Sequence, residues 1–153
     1  MTLCFSQSQA AAVYAATRGA KQGDVYVSPF IGRLDDRGEN GMDVVANILK
    51  MYRSGDGHVE VLTASVRSYD HLMYALKLGS DIITAPYAIL KEWVQKGLPL
   101  PAEDYVYNAR DLEPIPYQEI DLGKLWQNYD ITHDLTAKGM EKFSSDWDSL
   151  ITG

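Results

Sequence analysis

Cysteine is nearly missing from this sequence: Cys4 stands alone in 153 residues. One thiol closes no internal disulfide, which excludes a disulfide-stapled scaffold and favours a reducing compartment. Positive charge is also scarce, with 14 Lys plus Arg against 21 Asp plus Glu and a net charge of -7. That balance argues against a nucleic-acid backbone or an anionic membrane surface as partner. It leaves room for a small phosphorylated ligand, for which one or two basic groups suffice. No apolar run is long enough to span a bilayer, and the opening residues do not read as a signal peptide. The expectation is a cytoplasmic protein. His58, His71 and His133 stand far apart in sequence, outside any metal-ligand spacing, and Asp35 and Asp36 are adjacent carboxylates without further ligands. No metal site is expected. The loop 38–41 (GENG) lacks the lysine and the spacing of a phosphate-binding glycine loop.

What the chain does have is a packed composition, 46% hydrophobic and 23% charged, and an alternating pattern. Residues 8–18 are rich in helix formers and run to Gly19, a residue suited to a helix C-cap. Residues 25–31 (VYVSPFI) read as a strand stopped by proline. Met42, Val45, Ile48, Leu49 and Tyr52 fall at helical spacing within 41–53. A strand follows at 59–65, a helix at 69–78 closed by Gly79, a strand at 81–85 and a helix from Tyr87 to Lys96. Thr2 to Phe5 can serve as a strand before the first helix. The order is βαβαβαβα, which predicts parallel strands with crossover helices: an α/β fold with four βα units, of the (βα) barrel type or a small doubly wound sheet.

An internal echo supports that reading. Pro29 and Pro86 lie 57 positions apart, each before an aromatic residue, and Leu3 and Ser6 recur as Leu62 and Ser65, 59 positions on. Tandem similar units are what a barrel of repeated βα elements predicts. Residues 1–97 are read as the βα part. Residues 98–131, with Pro99, Pro101, Pro114 and Pro116 and an excess of acids, are read as an extended arm. Residues 132–153 are read as a helix with Met140, Phe143, Trp147 and Leu150 on one face and Asp134 or Thr136 as N-cap.

Active groups in a βα barrel project from the C-terminal ends of strands. Those positions are Phe5 and Ser6, Ser28 through Arg33, Ser65 and Arg67, and Thr84. Hydroxyls can bond sugar oxygens and arginine gives phosphate a charge-assisted fork. Ser6, Ser28 and Arg33 are therefore candidate substrate-binding residues, with Phe5 beside them at the same strand end, and Ser65 and Arg67 candidate phosphate-binding residues. Helix capping is the competing reading for Ser6, Ser28 and Thr84, and a solvated surface position the competing reading for Arg67. Cys4 is read as a small buried strand residue, His71 as a helix-face residue, and 33–37 as a charged loop.

The segments TLCFSQSQA (2–10), YVSPFIGRLDDRGENGMDVV (26–45), VLTASVRS (61–68), DIITAPYAIL (81–90) and HDLTAKGMEKFSSDW (133–147) resemble the second half of the transaldolase and fructose-6-phosphate aldolase family. SPFIGRLDD is the most specific of them, and the arm at 98–131 departs from the compact pattern of the short transaldolase-like group. The resemblance implies part of a (βα)8 barrel, strands five to eight, that moves or cleaves a dihydroxyacetone unit of a sugar phosphate. The chemistry implied is a lysine Schiff base without metal or organic cofactor. Ser65 and Arg67 match the family's Ser-x-Arg phosphate motif, and Phe5 and Ser6 its active-site wall. An arginine that longer transaldolases add has no counterpart at Ala10–Ala12. The Schiff-base lysine would precede Met1, since Lys21, Lys50, Lys77, Lys91, Lys96, Lys124, Lys138 and Lys142 all read as helix or loop. Two expectations follow: a truncated or split enzyme completed by an N-terminal barrel half, or a non-catalytic half-barrel that binds a sugar phosphate or forms a homo-oligomer, aided by Phe143 and Trp147.

Overall fold

A computed structural model describes residues 1–151. The elements are α1 (Gln7–Ala16), β1 (Val25–Val27), α2 (Ile31–Asp35), α3 (Gly41–Tyr52), β2 (Val59–Thr63), α4 (Tyr69–Leu78), β3 (Ile82–Ile83), α5 (Tyr87–Gln95) and α6 (Asp134–Ile151), with one 3-10 turn at Trp126–Asn128. The fold is α/β. Its sheet has the order β1-β2-β3, all parallel, with Val27 opposite Val61 and Thr63 opposite Ile83. Valine and isoleucine at these positions suit the pleat. Alternation along β2 buries Val59, Val61 and Thr63 and leaves Glu60 and Leu62 half-buried on the other face. One layer of helices runs beside the sheet, with α1 against α3, α3 against α4 and α4 against α5. This is compatible with part of a (βα) barrel.

The fourth strand expected at residues 2–5 is reduced to a single parallel bridge, Cys4 to Pro29. The Cys4 amide donates to the Ser28 carbonyl (3.2 Å), and the Phe30 amide to the Cys4 carbonyl (3.1 Å). β1 is shorter than the predicted 25–31, because Pro29 has no amide to give and Ile31 already begins α2. Residues 33–35, expected in a loop, belong to that short helix. β3 is short for another reason. The Val61 amide of β2 is taken by the Asp81 carboxylate (2.8 Å), and the Ser80 hydroxyl donates to the Val61 carbonyl (3.0 Å), so side chains replace the ladder there.

Caps decide several helix ends. Ser6 and Ser68 accept amides from Gln9 and His71 and start α1 and α4, and Gly79, at φ +74°, closes α4. Gly19 does not cap α1: the helix ends at Ala16 with Thr17 as its cap, and Gly19 turns the chain beyond it at φ +91°. α6 starts at Asp134, and its cap is neither of the expected residues: the Leu135 amide donates to His133 Nδ1 (3.2 Å). The helix expected to 153 is described to Ile151, with Thr152 and Gly153 outside the described residues.

α3 is the centre of the core. Beyond the periodic positions Met42, Val45, Ile48 and Tyr52, it also buries Val44, Asn47 and Met51, whereas Leu49 is only half-buried. Each fully buried aliphatic side chain here stabilises the fold by about 1.5–3 kcal/mol. At Asn47 the cover comes from the arm. Residues 98–131 cross the helix layer in the reverse of chain order. Lys77 on α4 donates to the Ala102 and Glu103 carbonyls, and Tyr107 stacks on Tyr74 of α4 with ring centroids 4.7 Å apart. On α3, Asn47 donates to the Ile115 carbonyl, Asp43 accepts the Ile115 amide, and Lys50 lies over the Tyr117 ring. The buried Gln7 on α1 then exchanges two hydrogen bonds with the backbone of Gln118 (2.8 and 3.1 Å). Its neighbour Gln9 accepts from the Phe5 amide and donates to the Ile131 carbonyl and the Thr136 hydroxyl. The arm lies on the α/β unit along its whole length.

Candidate functional site

Four of the predicted site residues, Ser65 with Arg67 and Phe5 with Arg33, fall into two clusters on either side of the segment Pro29–Asp36. The first is built on the loop that leaves β2. Ala64 donates its amide to the Pro29 carbonyl, and the amides of Ile31 and Gly32 donate back to the carbonyls of Ala64 and Ser65 (3.1 and 3.2 Å). Ser65 takes the left-handed conformation, φ +61°, which costs a non-glycine residue about 1–2 kcal/mol. That turn aims its carbonyl at α2 and brings Arg67 over Gly32. A Cβ on Gly32 would lie 2.4 Å from Arg67 Nε and 2.5 Å from the Ser65 oxygen.

Arg67 is fixed at both ends. Its amide donates to His71 Nδ1 (3.3 Å), and its guanidinium meets Asp36 in a two-pronged pair at 2.5 and 2.7 Å. With Nδ1 accepting, the His71 ring proton sits on Nε2, which faces Asp35 Oδ2 at 3.0 Å. The other oxygen of Asp35 accepts the Gly41 amide (2.9 Å). His71 and Asp35 thus form a tether under Arg67. The helix-face reading of His71 placed it on the right element and missed this role. Its signal in the sequence is slight: a histidine four residues after Arg67, at the start of a serine-capped helix.

The second cluster is aromatic. Phe5, almost wholly buried, stacks on His133 with centroids 5.1 Å apart and meets Phe30 edge-on at 6.3 Å. The Arg33 guanidinium lies over Phe30 and over Phe143 of α6, 5.8 and 5.7 Å from the ring centroids. Gly139 allows α6 this close: a Cβ there would sit 2.7 Å from Leu3 and 3.2 Å from Arg33 Nη1. Burial lowers the His133 pKa, in the same sense as the nearby Arg37 charge and against Asp134. Its Nδ1 is therefore suited to accepting the α6 amide.

The remaining predicted residues are occupied differently. The Ser6 hydroxyl accepts the Gln9 amide (3.2 Å), which is the capping reading. Ser28 is buried, with its amide on the Met1 carbonyl (2.8 Å). Thr84 donates its amide to the Thr63 carbonyl (3.0 Å). Cys4 is fully buried and its thiol is pushed up to about 12 by burial, so it is not a nucleophile. A cavity of about 490 Å3 opens beside the first cluster, between Asp35, His71, Asp70 and the arm residues Tyr107, Arg110 and Asp111. Its three carboxylates against one arginine disfavour a phosphate there.

None of the eight lysines lies on a strand. Lys77 and Lys50 are held by the arm, and Lys96, paired to Glu92 at 2.8 Å, has its pKa raised by that bond. Among the described residues, no group of three or more His, Cys, Asp or Glu could hold a metal ion. No helix there is long and apolar enough to cross a membrane.

Parallel strands with helical crossovers define an α/β protein compatible with part of a (βα) barrel. Within that class the chain belongs to the transaldolase/fructose-6-phosphate aldolase family, whose model matches residues 1–152. A probable transaldolase of Brucella ovis is 37% identical over 147 residues, covering 96% of this chain and 48% of that protein. One from Paracoccus denitrificans is 33% identical over the same shares. A third, from Mesorhizobium japonicum, is 44% identical over 98 residues, 64% of this chain and 42% of that protein. The chain spans about half the length of the curated relatives it matches.

Proposed function

We propose that this chain forms the phosphate-binding part of a transaldolase-like enzyme that transfers or cleaves a dihydroxyacetone unit of a sugar phosphate. The observation that carries the reading is the Ser65-x-Arg67 turn, bonded through the Ser65 carbonyl to Gly32 of the SPFIGRLDD segment. The Ser65 hydroxyl and the Arg67 fork take the phosphate oxygens. Arg33, Ser28, Phe5 and Ser6 lie on the walls around the sugar. The nucleophile is a lysine outside residues 1–153, whose amine condenses with the ketose carbonyl to an iminium that accepts the electron pair of the broken carbon-carbon bond. Such an amine must be neutral to attack. The helix and loop positions of the lysines in this chain support placing it elsewhere. The enzyme needs no metal or organic cofactor on this reading and works in the cytosol, completed by an N-terminal barrel half or by further copies of the chain.

Borohydride reduction in the presence of a ketose phosphate tests this. The expected result is no adduct on the 153-residue chain, and phosphate binding that Arg67→Ala weakens at least fivefold, about 1 kcal/mol. A stable adduct on any lysine of this chain would overturn the placement of the nucleophile, and equal affinity in Arg67→Ala would overturn the phosphate assignment. A second reading, a non-catalytic sugar-phosphate-binding or assembly half-barrel, is favoured by the exposed apolar face of α6, where Phe143, Trp147 and Leu150 are 42%, 64% and 76% exposed. It predicts the same binding with no turnover after an N-terminal half of a relative is supplied.

A further inference from the structure

We propose that Asp36 is an internal competitor for phosphate at Arg67, and so sets the affinity and selectivity of the anion site. The inference rests on the reading of Arg67 as the phosphate ligand. Both carboxylate oxygens of Asp36 sit on the guanidinium, at 2.5 and 2.7 Å. These are the donors that a phosphate would use. The carboxylate is therefore a stand-in for two phosphate oxygens, and an incoming phosphate takes its place.

The two partners differ in how firmly they are held. Arg67 is anchored by its amide to His71 Nδ1 and by its stem against Gly32. Among the described residues Asp36 has only Arg67 as a polar side-chain partner, and it stands at the end of α2, 55% exposed. Asp35, one residue earlier, is mostly buried with both oxygens bonded. Of the two adjacent acids, one is structural and the other can swing away. An exposed ion pair of this kind is worth little, so opening it is cheap. The negative charge nevertheless stays within a few ångströms of the arginine and repels a dianion. A bare phosphate therefore binds poorly. A sugar phosphate whose hydroxyls gain further contacts overcomes the competition.

The test is titration of the full chain with inorganic phosphate at fixed ionic strength, following the Arg67 Nε–H resonance and the heat of binding. Asp36→Asn, with the same shape and no charge, is expected to bind inorganic phosphate about fivefold more tightly, the upper range for losing an exposed ion pair. Asp36→Glu keeps the charge and is expected to match the wild type. Unchanged or weaker binding in Asp36→Asn, or equal tightening in Asp36→Glu, overturns the competition. Arg67→Ala separates the two levels: if it loses binding in the wild-type and Asp36→Asn backgrounds, the phosphate site stands whatever Asp36 does. If it binds as the wild type does, the phosphate assignment itself fails.

Discussion

Gly32 is where backbone, arginine and loop meet, and its missing side chain is what allows it. A Cβ would fall 2.5 Å from the Ser65 carbonyl oxygen and 2.8 Å from Arg67 Cδ. The arginine tip can move aside, but the carbonyl belongs to a backbone already turned to φ +61°. Gly32→Ala is therefore expected to destabilise the chain by about 1–3 kcal/mol and to weaken phosphate binding by displacing Arg67. Urea unfolding and a phosphate titration on the same variant check both, and a variant of wild-type stability and affinity would show that the contact is loose. The arginine itself was legible in the sequence as part of Ser-x-Arg. Its partner was not, because Asp36 and Arg67 are 31 positions apart and pair only when α2 is laid against the loop after β2.

The helix α3 follows from its hydrophobic period, α4 and α5 are read within a residue of their observed bounds, and Gly79 marks the end of α4 in the sequence. α2 is five residues long, too short to show a period, and a proline before it suggested the end of a strand. The internal echo also has a limit. Ser6 caps α1 directly, whereas its counterpart Ser65 stands three residues before the cap of α4, Ser68. Those three extra residues carry Arg67. α6 holds a pH-dependent contact at its start. The His133 pKa lies below its ordinary value, chiefly through burial, and Nδ1 must be unprotonated to accept the Leu135 amide. The stabilisation from this contact is full above the unfolded histidine value, about 6.5, and is lost as pH falls through the lower folded value. Protease cleavage near the start of α6 is expected to rise between pH 7.5 and 5 in the wild type and to stay flat in His133→Asn, which caps without titrating. Equal pH dependence in both would assign the effect elsewhere.

At the scale of the whole molecule, the arm carried the part of the fold that the sequence concealed. Prolines and acids mark 98–131 as extended, but its attachment to α1 and α3 depends on single polar residues, Gln7, Asp43 and Asn47, that no period distinguishes. Gln7 is the clearest of them, with both side-chain groups on Gln118. Gln7→Ala is expected to cost about 1–2 kcal/mol and to speed hydrogen exchange of the Gln118 amide at least tenfold relative to amides of α3. Unchanged exchange would mean that the arm is held without it.

These same bonds have a consequence for the order in which the chain can be completed during synthesis. Gln7 waits for a partner 111 positions later, Gln9 for Thr136, 127 positions later, and the Leu3 carbonyl for Thr136, 133 positions later. At about 5–20 residues added per second, α1 emerges many seconds before the groups that secure its glutamines exist. In that interval buried amides and an alanine-rich face are open to whatever is near the ribosome. Contacts this distant also slow folding after release, since loop closure comes before the reward. The segment that looks most dispensable in the sequence is the one whose arrival lets α1 finish folding.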